Sequence, residues 1–312
     1  MVHTEADEPA DAEALIPKVW TSQYPDFATK GRPGFKLDAL MNESEEQIVS
    51  YPVFTVENRT RLFDEFTLWY FSWTFALLQE ISRSRKSAPR VQRIYVQILS
   101  FVVSQHLAIR KLVLTGLDIP AKQLVRGLAE HLDLAVLLAV SPELRAEFDA
   151  TDTPEASNAF WNKYMSKGKA RRAISARLGR GSTHDHYSTM KEWRKEEEQI
   201  LSMCVHPSLL ACQMSLLGDS DERPVWPGCL GTLSSNSNRT LSYSIYASLG
   251  FLLEGYDALV NEGNEPLIVL TEDNELHVHI SHGRVVLLTL LSFVQSHPTW
   301  PALNSQLGES EE

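Results

Sequence analysis

The sequence predicts a mainly α protein, an antiparallel helical bundle with one small β-hairpin near the C-terminus. Three observations carry this. Residues 56–81 contain no Gly or Pro, and Leu62, Phe63, Phe66, Trp69, Tyr70, Trp73, Leu77 and Ile81 recur at helical spacings. Two further apolar-periodic stretches follow, about 90–116 (Ile94, Ile98, Phe101, Val102, Leu107, Ile109, Leu112) and about 119–140 (Leu124, Leu128, Leu132, Ala135, Leu138). The connections between them are short and hold breakers or starters: Pro89, Gly116, Asp118 with Pro120, then Pro142. Long helices joined by short turns fold back on one another.

The remaining elements follow in chain order. Residues 1–16 read as an acidic disordered tail. Residues 17–55 read as an irregular segment that lays Trp20, Tyr24, Phe27 and Phe35 over the main body, with a short helix from Leu37 to about Val49. In the 56–81 helix Phe71, Phe75 and Leu78 fill further faces, which predicts a middle buried on most sides. A helix over about 186–206 has a charged, solvated middle from Lys191 to Glu198, with Tyr187, Met190, Ile200, Leu201 and Val205 inward. It ends at His206-Pro207, because a residue before proline disfavours the α region. Residues 218–238, rich in Gly, Ser, Asn and Asp, read as a long loop. A helix over about 239–261 carries Leu241, Ile245, Leu249, Leu252 and Tyr256. The hairpin pairs Leu267–Thr271 with Leu276–Ile280 around Glu272-Asp273-Asn274-Glu275, and a last apolar helix covers 284–296. The resulting division is a bundle core at 56–217, a loop at 218–238, C-terminal helices with the hairpin at 239–297, and a tail at 298–312.

Composition narrows the function classes. With 312 residues, 43% hydrophobic and 22% charged, the chain is ordinary globular material with enough length for a sizeable core. Cys204, Cys212 and Cys229 form no C-x-x-C pair, which argues against a disulfide framework or a cysteine-rich zinc site and favours a reducing cytoplasm. The N-terminus lacks a basic segment followed by an apolar one, and apolar runs such as Val285–Val294 fall short of a membrane span. The net charge of −11 is concentrated at the ends: residues 1–14 hold five acids and no Lys or Arg, and Glu309, Glu311 and Glu312 close the chain. Only −3 remains for residues 15–308, so global charge does not decide for or against nucleic acid. Phosphate-binding Gly-rich loops, His-Glu-x-x-His and Gly-x-Ser-x-Gly are absent, which removes the usual signals of nucleotide-driven motors, dinucleotide dehydrogenases, zincins and serine hydrolases.

Three constellations remain as candidates for chemistry. Arg126 and Glu130 stand one helical turn apart on a face that the apolar positions 124, 128, 132 and 135 turn partly inward. With His131 beside them and His206 at a later helix end, they predict one polar centre, with Arg126, Glu130 and His206 in a single hydrogen-bonded cluster; a structural ion pair is the competing role. Residues 161–184 hold Lys163, Lys167, Lys169, Arg171, Arg172, Arg177 and Arg180 and no acid, interleaved with Trp161 and Tyr164. Such a stretch suits a phosphate backbone, or equally a solvated face balancing acids elsewhere. His277 and His279 would share one face of a strand, near His282, but no further ligand completes a metal site; His184-Asp185-His186 reads the same way. No metal or cofactor is expected.

Two resemblances bear on activity. The stretch His106-x-x-Ile109-x-x-Leu112-x-x-x-Gly116, then Ala121-Lys122-x-Leu124-x-Arg126-x-x-x-Glu130, Pro142-Glu143 and Phe148, with the later Leu201-Ser202-Met203-Cys204-Val205-His206-Pro207-Ser208, resembles a family of uncharacterised helical bacterial proteins. More distantly, Arg126-Gly-Leu-Ala-Glu-His131 is similar to the Arg-x4-6-His spacing of HEPN domains, helical bundles that include metal-independent ribonucleases of toxin and defence systems. That resemblance implies Arg126 on a phosphate and His131 as general acid or base, across a dimer. The resulting expectation is an RNA-directed effector, with RNA, a second copy of the chain or another protein as partner and no membrane. The alternative is a non-enzymatic helical interaction module whose Arg-Glu-His cluster fixes packing.

Overall fold

The structure is a computed structural model that describes Thr29 and residues 54–84, 89–178, 191–217, 233–260, 267–268 and 275–296. The chain divides into Met1–Ser50 and Tyr51–Glu312, and every element below belongs to the second unit. The expected 37–49 helix, the two tails and most of the 218–238 loop lie outside the described residues.

The described residues are helical, with no strand among them. The three long helices expected from periodicity are α1 (Phe54–Ser84), α2 (Arg90–Leu114) and α3 (Asp118–Ala139). Two short helices follow, α4 (Pro142–Asp149) and α5 (Pro154–Phe160). The basic segment is then itself helical: a π-helical turn at Trp161–Met165, a tight turn at Ser166–Gly168, and α6 (Lys169–Leu178). Next come α7 (Lys191–Val205), α8 (Leu209–Leu217) and α9 (Ser235–Gly250). A second π-helical turn at Phe251–Gly255 continues α9 into α10 (Tyr256–Val260), and α11 spans Glu275–Ser296.

Long-range contacts fix the directions. Arg110 on α2 donates to Asp64 on α1 at 2.7 Å and His106 lies 3.0 Å from Thr67 Oγ1, so the two helices are antiparallel. Tyr95 O–H donates to the Ala135 carbonyl at 2.8 Å while the Phe101 ring lies on His131, which turns α3 back along α2. Gly116 makes that reversal feasible. At φ 68° it lets Leu117 N–H reach the Leu112 carbonyl at 2.8 Å and its own N–H reach Val113 at 2.9 Å, the paired bonds of a Schellman stop. α7 runs antiparallel to α3, with Gln123 donating to the Cys204 carbonyl at 2.7 Å. α9 runs parallel to α3: Ser237 near its start bonds Asp118, whereas Leu249 and Phe251 line one cavity with Leu132 and Val136.

The core is aromatic where α1, α2, α9 and α11 meet. Trp69, Tyr70, Trp73, Tyr95 and Phe251 are fully buried, and Trp69 donates its indole N–H to the Ile280 carbonyl of α11 at 2.9 Å. One described helix, α2, has the length and hydropathy of a membrane span; its apolar positions pack here between α1 and α3.

Three expectations need correction. Leu276–Ile280 is no strand: it opens α11, so the second arm of the hairpin is absent. Leu267 and Ile268 form a bend, and 269–271 lie outside the described residues. The middle of α1 is not buried on most sides, because Phe71, Phe75 and Leu78 face outward together with Leu68. The charged start of α7 is not wholly solvated, since Trp193 and Glu197 are buried while Val205, expected inward, is exposed.

Candidate functional site

Helical spacing brings Arg126 and Glu130 together. Arg126 Nε donates to Glu130 Oε1 at 3.3 Å, and its Nη1 donates to Ser202 Oγ of α7 at the same distance. The second Glu130 oxygen accepts the Trp161 indole N–H at 3.4 Å. Both charged side chains are only partly buried, 31% and 39% exposed, so the cluster is a surface clasp rather than a polar core. His206 is exposed just past α7; its backbone N–H bonds the Ser202 carbonyl, and its ring makes no hydrogen bond among the described residues. His131 turns away from Arg126, as an i, i+5 pair must. Its Nδ1 bonds the Gly127 carbonyl at 2.8 Å and its ring stacks on Phe101 with centroids 3.8 Å apart.

The basic segment is folded against its neighbours. Lys163 pairs with Glu147 at 3.0 Å, Arg177 with Glu143, and Arg171 with both Asp133 and Glu198. Arg172 bonds the Lys167 carbonyl and Lys169 that of Asn162. Lys167 is exposed at a left-handed φ of 56°, and Arg180 lies outside the described residues. The segment's acid-free sequence is therefore matched by acids from α3, α4 and α7. Beside Arg171, a cavity of about 30 Å³ opens between α3, α6 and the π-helical turn, near Asp133, Val136, Phe251 and Glu254. That is room for about one or two waters.

His277 and His282 are exposed on α11, where residues two apart diverge, so the strand-face argument for His277 and His279 does not hold. Among the described residues no His, Cys, Asp and Glu gather in a group able to hold a metal. His184-Asp185-His186 lies outside them.

Sequence reasoning missed the most deeply buried charges. Lys122 is fully buried on α3, Glu197 is fully buried on α7, and Asp118 lies at the start of α3. Arg239 on α9 donates Nε to Glu197 at 2.5 Å and Nη2 to Glu196 at 2.9 Å. Asp118 Oδ2 accepts from Ser234 and Ser237 at 3.0 and 2.9 Å. Lys122 Nζ makes no hydrogen bond among the described residues, nor does Glu197 Oε2. Burial lowers the Lys122 pKa, while Glu197 and Asp118 act to hold its charge. The three helices α3, α7 and α9 are thus clamped by a buried charge cluster. The signal was present, because Lys122 lies at helical spacing to Val125, Ala129 and Leu132, on the apolar stripe. His106 is a second buried group, held by Thr67, near Ser248 and stacked on Phe63; burial lowers its pKa to about 3, so it is neutral.

Among the described residues the most extended exposed apolar stripe is on α1. Leu68, Phe71, Phe75 and Leu78 are 52%, 52%, 45% and 45% exposed, and the Phe71 and Phe75 rings stack at 6.1 Å. At about 100° per residue the four fall within an arc of about 80°. Comparison of the chain with protein-family models, curated proteins and solved structures finds no match.

Proposed function

We propose that this protein is a non-enzymatic helical interaction module that docks through the outward face of α1. The observation that carries this reading is the Leu68-Phe71-Phe75-Leu78 stripe, large apolar side chains contiguous along about 15 Å of helix at half exposure. A helix whose opposite face already fills an aromatic core does not need these four for folding. Surface apolar stripes at i, i+3, i+7 spacing are how helices meet other helices.

The state of the rival groups supports the same reading. An RNA-cleaving pair needs Arg126 and His131 converging on one scissile phosphate. Arg126 is instead engaged with Glu130 and Ser202, and His131 with Gly127 and Phe101. Lys163, Arg171 and Arg177 are each neutralised by an acid, which weakens the case for a phosphate track. The deciding experiment incubates purified protein and its Arg126→Ala variant with total RNA in EDTA. The expected result is intact RNA with both proteins. Cleavage by the wild type that Arg126→Ala removes would overturn the reading and restore a ribonuclease.

A further inference from the structure

We draw no further inference here: the strongest candidate, the exposed apolar stripe of Leu68, Phe71, Phe75 and Leu78 on the outward face of α1, carries nothing beyond the reading above because nothing in the structure shows what covers it.

Discussion

Burial separates the charged side chains into two groups that should differ in what they contribute to stability. Glu197 and Lys122 are fully buried, whereas Glu130 is 39% exposed and Arg126 31%. Removing one member of a buried set strands the rest, so Glu197→Ala should lower stability by about 3 kcal/mol or more. Glu130→Ala should cost no more than about 1 kcal/mol, as for other part-exposed pairs. Denaturant melts of the two variants read the contrast, and equal losses would contradict it. Lys122→Met tests the cluster from the other side: its Nζ has no hydrogen bond among the described residues, so an apolar replacement of similar length should leave stability level or raise it. His106 adds a pH term. Its folded pKa of about 3 lies below the ordinary 6.5, so between those values the unfolded chain binds the extra proton. The contribution is fully present above pH 6.5 and is lost as pH falls toward 3, with a limiting slope of about 1.4 kcal/mol per pH unit. Stability measured between pH 4 and 6.5 should show that slope in the wild type and lose it in His106→Gln.

Element by element, the bundle was legible where periodicity ran long. The first three helices lie within a few residues of their expected bounds, and the Gly116 stop works through the left-handed φ that glycine favours. The hairpin was misread because Leu276-His277-Val278-His279-Ile280 alternates apolar and polar over five residues, too short to separate a strand from a helix start. Phe71, Phe75 and Leu78 read as core because hydrophobicity marks a tendency to burial without saying against what. Glu197 was hidden by the opposite error, since the run Lys191 to Glu198, seven charged residues in eight, reads as solvated whichever one turns inward. The seat of α11 on α1 makes its own prediction. A Cβ at Gly283 would stand 2.9 Å from Trp69 Cδ1, and Trp69 is fixed by its bond to Ile280. Gly283→Ala should therefore destabilise by about 1–3 kcal/mol despite its better helix propensity. A melt at or above the wild-type midpoint would mean that α11 can shift freely.

At the scale of the whole molecule, α1 works on two faces. Its inner face supplies Phe63, Phe66, Trp69, Tyr70 and Trp73 to the core, and its outer face carries the only four consecutive stripe positions among the described residues at which large apolar side chains stand half exposed on one long helix. Within the basic stretch Lys163, Arg171 and Arg177 are ion-paired to acids of α3, α4 and α7. The proposed non-enzymatic reading is tested most directly by incubating the purified full chain and its Arg126→Ala variant with total RNA in EDTA. RNA should stay intact with both proteins, and cleavage by the wild type that Arg126→Ala removes would contradict the proposal.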